Sequence, residues 1–490
     1  MKTTSTISSQ EIDDLVHFTM KEWNIPGLGL SVVHQGKDLK ISGYGVKCLG
    51  EPDPVDENTV FQICSITKSF CGLTINMLAE EGLLEWERPV RDYIPNFALK
   101  DPVAQHEITL RDLISHRTGF PGAAAESFRL WWHTGRSSEE ILNRLSQLEP
   151  LHPFRAHFTY NNEAYLLASD VCRRVSGMPW KQYCKEKIFK PLNMTRSSAD
   201  YAFLSQEKNV AKSHLNRLGH MQLIEWDNWE GLPAAAGIAS TSVDMAKWLH
   251  YCLSKPAVME YTLQPHSYIE PEGLFSDFTI PMCPIFFHEQ PIANYGLGWI
   301  MYNLYDRIVY LHTGLIDGMQ SILAIVPEEN LGVCVLTNYS THLGAVSILN
   351  TLLDRALSLP DINWNEKSKQ AMHEVAQKIS FDRETMESQR DKNIPQSCPL
   401  EAYCGEYIHP AYGSCRVTKH QDQLQIQVIT KDIGILKHWQ GDQFEITDSF
   451  ATTFTPWIVD FKLNDISKNV ESLCVDNRCF RCSFEKQKIQ

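Results

Sequence analysis

The chain has 490 residues, of which 43% are hydrophobic and 10% aromatic, and it carries a formal net charge of −14. This length is sufficient for two or three domains, and the composition is typical of globular proteins rather than disordered or fibrous ones. Nucleic acid and anionic membrane surfaces would repel such an acidic surface, so we expect neither as a principal partner.

The amino-terminal segment contains no apolar stretch of the kind found in secretory signals. No later segment approaches the roughly 18 uninterrupted apolar residues of a membrane span. We therefore expect a cytoplasmic protein without a membrane span. Its 14 cysteines are then expected to be reduced thiols, because disulfides persist mainly in oxidising compartments. The oligomeric state is left open.

Apolar residues at helical spacing predict an amphipathic helix over residues 11–23. Two β-rich runs follow, over 27–33 and 39–43, and the segment between them contains Gly36. This pattern is typical of a β-hairpin with glycine at its turn.

Ser65 and Lys68 lie three residues apart in the next stretch, before a mostly apolar run over 71–79. If this stretch is a buried helix, the lysine amine can reach back to the serine oxygen, because residues three apart share a helix face. A serine hydroxyl needs a neighbouring base to become a nucleophile, and burial lowers the pKa of a lysine toward that role. The pair is a candidate for nucleophilic catalysis, although such spacing also arises by chance.

Residues 81–293 show mostly helical patterns broken by proline, glycine and aromatic loops, which indicates a helical subdomain inserted into a sheet. Short β-rich runs then return and precede a closing helix over 346–359; the runs cover 295–301, 307–311, 321–326 and 332–337. An antiparallel sheet built from both ends of this region and flanked by helices is predicted, an α/β (α+β) fold.

The composition changes twice near the carboxyl end. Residues 366–393 are charged with scattered apolar positions, as in an exposed helical linker, and after Pro395 short runs alternate at strand period. We predict a small all-β, barrel-like module there. The proposed division is a domain over 1–360, a linker over 361–396 and a β-domain over 397–490.

Three cysteines near the end, Cys474, Cys479 and Cys482, have spacings similar to part of a plant-type iron–sulfur ligand set. No fourth ligand is evident, and the segment reads as strand, turn and strand, where thiols pack as small apolar groups. We expect no metal site and no cofactor.

Two further motifs follow the serine and lysine: Tyr160-Asn161-Asn162 and His312-Thr313-Gly314. With Ser65 and Lys68 they make the chain resemble the serine β-lactamase and penicillin-binding-protein superfamily, in the class C-type branch whose second motif begins with tyrosine. The resemblance covers roughly residues 10 to 355 and includes secondary landmarks at 113–121, 236–241, 295–299 and Gly318. The end of the chain resembles the small β-domain appended to many such hydrolases.

The resemblance implies that Ser65 attacks a carbonyl carbon while Lys68 and Tyr160 move the proton to the leaving group. Because the pKa of a tyrosine is about 10, Tyr160 can serve as a base only if cations stabilise its phenolate, or else it relays protons with Lys68. Asn162 would hold the substrate amide and Lys68 by hydrogen bonds.

The resemblance also implies an oxyanion hole formed by the backbone N–H groups of Ser65 and Leu315. Gly314 precedes Leu315 on what is expected to be an edge strand, where glycine permits close substrate approach. Together with His312, Thr313 and Gly314 would bind and orient the substrate.

The third motif begins with His312 instead of the lysine of transpeptidases and many β-lactamases. A histidine is only partly charged near neutrality, so the site need not demand an anionic substrate. The resemblance therefore implies a carboxylesterase or D-amino-acid peptidase-like hydrolase with a small-molecule or peptide acyl substrate. Alternatives are an acyltransferase using the same acyl-enzyme, a β-lactamase or penicillin-binding activity, and a non-catalytic acyl-ligand binder or self-assembling scaffold.

Other histidines, namely His116, His133, His152 and His157, are interpreted as packing or loop residues. The aromatic segments 275–278 and 284–288 could form core or line an apolar acyl pocket.

Overall fold

The computed structural model describes residues 7–121, 134–217, 219–270, 285, 288, 293–340, 342–428, 433–447, 457–464, 466, 467, 469–476 and 481–487. The helices within these ranges are α1 Ser9–Trp23, α2 Thr67–Glu80, α3 Pro102–Glu107, α4 Leu110–Ile114, α5 Ser138–Leu145, α6 Glu163–Ser176, α7 Trp180–Cys184, α8 Ala202–Gln206, α9 Pro233–Ala236, α10 Ser242–Leu253, α11 Ala257–Glu260, α12 Gly344–Ala356, α13 Trp364–Gln389 and α14 Leu400–Tyr403. Short 3₁₀ turns cover Cys64–Ile66, Val90–Asp92 and Pro327–Glu329, and a π-helical turn covers Lys185–Phe189.

The strands in the first part of the chain are β1 Gly27–His34, β2 Lys37–Gly45, β3 Phe61–Gln62, β4 Ser213–Arg217, β5 His220–Ile224, β6 Ala239–Ser240, β7 Ser267–Ile269, β8 Ala293–Tyr295, β9 Ile300–Leu304, β10 Arg307–Ile316, β11 Met319–Val326 and β12 Leu331–Thr337. Those in the last part are β13 Gly405–His409, β14 Gly413–His420, β15 Gln423–Val428, β16 Ile433–Gln440, β17 Gln443–Thr447, β18 Trp457–Leu463, β19 Val470–Asp476 and β20 Arg481–Lys486.

Eight of the described strands form one antiparallel sheet in the order β2-β1-β12-β11-β10-β9-β8-β7. The amino-terminal hairpin β1-β2 therefore pairs with the strand that ends this part of the chain, as Leu30 faces Val335 across β1 and β12. This confirms the predicted hairpin and the predicted sheet built from both ends of the region.

Both faces of the sheet are covered by helices, which is why every residue of β1 is buried. Leu28, Leu30 and Val32 belong to a core shared with helices α1 and α12. On the opposite face Leu323 and Leu336 belong to the core that includes α2 and α10. Alternate side chains of a strand point to opposite faces, so an uninterrupted apolar run fits a sheet enclosed on both sides.

Most of the helices lie between β2 and β7 in the chain, accompanied by the small pairs β3-β6 and β4-β5. This confirms an inserted, mainly helical region. Its longest helices, α2 and α6, are almost entirely buried, so the two motifs at their amino-terminal ends are placed inside the molecule.

One strand prediction was wrong. The run 295–301 is divided between β8 and β9, because residues 296–299 leave the sheet. Gly298 has φ +85°, and a Cβ atom there would lie 2.2 Å from the carbonyl oxygen of Lys68. Gly72 is equally tight, since its Cβ would lie 2.0 Å from the carbonyl oxygen of Leu297. The backbone of residues 296–299 therefore packs directly on the backbone of the first turns of α2.

The carboxyl-terminal part contains a closed barrel of eight strands, β13 to β20. Its interior is filled by side chains such as Phe444, Phe461 and Phe484, which are buried, as expected for so small a barrel. Helix α13 connects it to the first part of the chain and begins and ends near the predicted linker bounds.

Among the described helices, none combines the length and apolarity needed to cross a membrane. The described residues likewise contain no cluster of three or more metal-ligating side chains. Cys474 and Cys482 lie on the neighbouring strands β19 and β20, while Cys479 lies outside the described residues.

Gly298→Ala should destabilise the protein more than Gly50→Ala, a matched substitution at φ +88° with open space around the Cβ. Both changes incur the strain of a left-handed residue, about 1–2 kcal/mol. Gly298→Ala adds a clash with the α2 backbone, for which overpacking data suggest about 1–3 kcal/mol more. Urea unfolding followed by tryptophan fluorescence measures both losses, and equal losses would contradict the close packing.

Candidate active site

Ser65 lies in the 3₁₀ turn Cys64–Ile66, which leads directly into α2. The predicted helical geometry is therefore achieved by a 3₁₀ turn joined to an α-helix. Cys64 and Ile66 are fully buried, whereas Ser65 is partly accessible. Cys64 has φ +53°, which is uncommon for a residue other than glycine and suggests local strain next to the serine.

Lys68 is fully buried, and its amine has three polar neighbours in the structure. Nζ lies 2.7 Å from Asn162 Oδ1, 2.9 Å from the carbonyl oxygen of Ala235 and 3.1 Å from Ser65 Oγ. The first two oxygens can only accept hydrogen bonds, whereas the serine hydroxyl can donate one. A neutral amine, with two N–H groups and one lone pair, satisfies all three neighbours when the lone pair faces Ser65.

Burial lowers the pKa of Lys68 well below its ordinary value, while the carboxylate of Glu163 and the thiols of Cys71 and Cys64 act in the opposite direction. Nζ also lies 4.7 Å and 5.1 Å from the ring centroids of Tyr160 and Tyr165. Desolvation dominates these opposing effects, so the neutral amine is easier to reach than that of an exposed lysine.

The two asparagines of the second motif make different contacts. Asn161 accepts a hydrogen bond from the backbone N–H of Ala164 at the start of α6 and donates to the carbonyl oxygen of Pro121. Asn162 makes no helix-capping bond and instead turns its Oδ1 toward Lys68. The capping asparagine typical of such a loop is therefore present, one residue before the asparagine that faces the lysine.

Tyr160 lies beside Ser65 and remains partly accessible. Burial of its phenol raises its pKa above the ordinary value, against a smaller opposing effect from a hydrogen bond with Ser65. A phenol with a raised pKa is protonated at physiological pH. A protonated phenol is compatible with a proton relay, one of the two possibilities that the sequence left open for Tyr160.

His312 is buried in β10, and both of its ring nitrogens are occupied. Nδ1 lies 2.6 Å from the carbonyl oxygen of Thr313, to which it donates, and Nε2 lies 3.0 Å from the hydroxyl of Tyr295, from which it accepts. Burial and the nearby Lys68 lower its pKa to about 3. With its pKa lowered this far, His312 is neutral near physiological pH, so the third motif begins with an uncharged residue.

Tyr165 and Tyr295 were not identified from the sequence as neighbours of the site, whereas His116 was interpreted as a packing or loop residue. The ring of His116 lies 4.4 Å from that of Tyr160, and its Nδ1 accepts a hydrogen bond from the backbone N–H of Asn161. Tyr165 and Tyr295 are buried with their hydroxyls 3.3 Å apart. The landmark segments containing His116 and Tyr295 were visible in the sequence, but only their roles as loop or strand residues were considered.

Gly314 brings the third motif against the serine turn. A Cβ atom at Gly314 would lie 2.7 Å from Cys64 Cβ and 2.3 Å from Ser321 Oγ. The absence of a side chain at Gly314 therefore lets Cys64 and Ser321 lie close to the β10 backbone, in addition to any substrate. The predicted edge is local, because β9 pairs with β10 only over residues 307–311, while β11 pairs with it up to Ile316.

The exposed side of the site consists of Ser65, Tyr160, Thr313 and Leu315. The first three are partly accessible, and Leu315 is 45% exposed.

The predicted acyl-pocket segments lie mostly outside the described residues, which include only Ile285 and His288 among them. His288 is buried with Nε2 2.9 Å from Asp354 on α12. His133 also lies outside the described residues. His152 and His157 contact one another, with ring centroids 4.8 Å apart.

Comparison with known protein families gives matches for two parts of the chain. Residues 12–357 match the family described as Beta-lactamase, and residues 389–490 match a domain of unknown function, DUF3471. The first match covers more than half of the chain.

The chain is 26% identical over 489 residues to Unguisins hydrolase ungD of Aspergillus violaceofuscus, covering 92% of this chain and 84% of that protein. It is 25% identical over 344 residues to Protein flp of Staphylococcus aureus, covering 68% of this chain and 64% of that protein. The octameric penicillin-binding protein homologue from Pyrococcus abyssi has a similar fold, with a TM-score of 0.62 at 20% identity over 98% of this chain and 100% of that one.

His312 should make the folded protein less stable as the pH falls from about 6.5 toward 3. Its pKa is lowered from 6.5 to about 3 by folding, so the unfolded chain takes up a proton in this interval that the folded chain does not. Each such proton lowers the free energy of unfolding by about 1.4 kcal/mol per pH unit.

We expect His312→Gln to reduce the slope of unfolding free energy against pH by about this amount between pH 6 and 5. His342→Gln is a matched variant, because the pKa of His342 is likewise lowered to about 3 by burial. Urea titrations at several pH values measure the slopes, and an unchanged slope in His312→Gln would contradict a neutral buried His312.

Proposed function

The chain belongs to the Beta-lactamase family, and on that premise we propose that it is a serine hydrolase acting through a covalent acyl intermediate on Ser65. The observation that carries the proposal is the placement of Lys68. Its buried amine lies within hydrogen-bond distance of two acceptor-only oxygens and of the serine hydroxyl, which is 3.1 Å away. This is the arrangement that a serine nucleophile and its general base require.

In the proposed acylation step, Ser65 Oγ attacks the carbonyl carbon while its proton passes to Lys68 Nζ. The carbonyl oxygen becomes an oxyanion, which the backbone N–H groups of Ser65 and Leu315 would stabilise. When the bond to the leaving group breaks, Tyr160 donates its phenolic proton to that group and regains one from Lys68. Asn162 holds Lys68 in place throughout.

Water then enters and attacks the acyl carbon, transferring a proton through the same pair back to Ser65 Oγ. The acid is released and the enzyme is restored. An alcohol or amine acceptor in place of water would make the protein an acyltransferase, with an unchanged first half-reaction.

We propose esters or amides as substrates, as in carboxylesterases and D-amino-acid peptidases. The neutral His312 supports this choice, because a site built for the carboxylate of a penicillin would benefit from a permanent cation at that position. The name of the relative Unguisins hydrolase ungD also supports hydrolysis as the reaction class.

Incubation with a fluorophosphonate should increase the intact mass of the protein by one adduct, and Ser65→Ala should abolish it, because only an activated serine reacts with this probe. Penicillin is tested in parallel and should form less adduct than the fluorophosphonate. Absence of any adduct on the parent protein would favour a non-catalytic ligand-binding role. An adduct that persists in Ser65→Ala would show that the nucleophile is another residue.

Tyr160→Phe should slow hydrolysis of alkyl esters about 10²–10⁴-fold, the usual contribution of general acid–base catalysis. p-Nitrophenyl esters of the same acyl group should be affected much less, because p-nitrophenolate leaves without being protonated. Steady-state kcat/KM values for the two ester series give the comparison. Equal losses in both would show that Tyr160 acts in another way than by protonating the leaving group.

A further inference from the structure

A turn of the carboxyl-terminal barrel, residues 410–412, contacts the helical region through two arginines. We call it the barrel turn. Arg144 Nη1 donates to the carbonyl oxygen of Ala411 at 3.1 Å, and Arg136 Nη2 donates to that of Tyr412. Gly413 allows the close approach, because a Cβ atom there would lie 2.8 Å from Arg136 Nη2.

His409 fixes the orientation of the barrel turn. Its Nδ1 accepts hydrogen bonds from the backbone N–H groups of Ala411 and Tyr412, at 3.1 and 3.2 Å, and its ring stacks on that of Tyr412 at 4.5 Å. The N–H groups of the turn therefore bind His409, while its carbonyl oxygens at Ala411 and Tyr412 accept from the two guanidinium groups. The turn is therefore a preformed acceptor for two neighbouring cations.

Arg136 also contacts the segment that supports Lys68. Its carbonyl oxygen packs against Gly231, where a Cβ atom would lie 2.8 Å away. Two residues further on, Ser138 Oγ donates to the carbonyl oxygen of Gly231 at 3.0 Å. Residues 136–138 thus hold Gly231 from two sides.

Gly231 is joined by Leu232 to the short helix α9. The backbone N–H of Ala235 donates to the carbonyl oxygen of Leu232 at 3.0 Å, and the carbonyl oxygen of Ala235 accepts from Lys68 Nζ at 2.9 Å. A continuous series of contacts therefore runs from the barrel turn to the catalytic amine.

We propose that Arg136 is a positioning residue through which the docked barrel fixes the α9 carbonyl that orients Lys68. This assigns the barrel a role in catalysis without any contact with substrate. The inference deepens the proposed function and rests on Ser65 and Lys68 being the reacting pair.

Arg144 provides a matched control, since it docks the same barrel turn but has no described contact with Gly231 or Ser138. We expect Arg136→Ala to lower the second-order rate of fluorophosphonate labelling about tenfold, comparable with the loss of one hydrogen bond. Arg144→Ala should lower it less than about twofold, because the described contacts of Arg144 with the barrel turn do not extend to Gly231. Thermal unfolding of both variants should change to a similar extent.

The pH dependence of labelling separates positioning from mere destabilisation. A carbonyl acceptor stabilises an ammonium more than an amine, so a displaced Ala235 lowers the pKa of Lys68. The labelling rate should rise with pH as Lys68 loses its proton. This rise should occur at lower pH in Arg136→Ala and at an unchanged pH in Arg144→Ala.

Gly231→Ala tests the same pathway from the other side, because its Cβ would meet the Arg136 carbonyl oxygen and Ile141 Cδ1 while both arginine side chains at the barrel turn are retained. It should reproduce the rate loss and the pH shift of Arg136→Ala. If the labelling rates of all three variants equal that of the parent protein, the positioning role is overturned. The same holds if Arg144→Ala loses as much of the labelling rate as Arg136→Ala. In both cases the proposed hydrolase stands. If the parent itself is not labelled, the proposed function fails.

Discussion

The burial of one lysine amine is the constraint on which the site depends. Lys68 has no room for a hydration shell, so every polar atom around Nζ must be supplied by the protein. An amide oxygen, a main-chain carbonyl and a serine hydroxyl meet that need. Withdrawal from water lowers the basicity of the amine, which lies 3.1 Å from the serine hydroxyl.

The surroundings of this amine are polar but largely uncharged. Tyr160, Tyr165 and Tyr295 are protonated phenols, since burial raises the pKa of each, and His116 and His312 are neutral imidazoles, since burial lowers theirs. Glu163 is the acidic residue that affects Lys68. Such an environment supplies hydrogen bonds without a strong field that would keep the lysine protonated.

Local features of the site could be predicted from the sequence, and non-local ones could not. The approach of Lys68 to Ser65 follows from a three-residue spacing, and the sheet follows from the β-rich runs at both ends of the region. The link from Lys68 to Asn162 was available only through resemblance to a family. Contacts such as Tyr295 with His312 depend on where Gly298 breaks a strand, and main-chain acceptors such as Ala235 leave no mark on side-chain pattern.

The length of helix α13 is constrained by contacts at both of its ends. At its start Ser368 contacts Ser347 of α12, and near its end Arg383 and Arg390 both pack on Trp439 of the barrel. One inserted residue would rotate the far end by about 100°, and one added turn would displace it by about 5.4 Å. A change in the length of this helix would therefore disrupt the contacts at one of its ends, as in a spacer that sets the distance between two docked bodies.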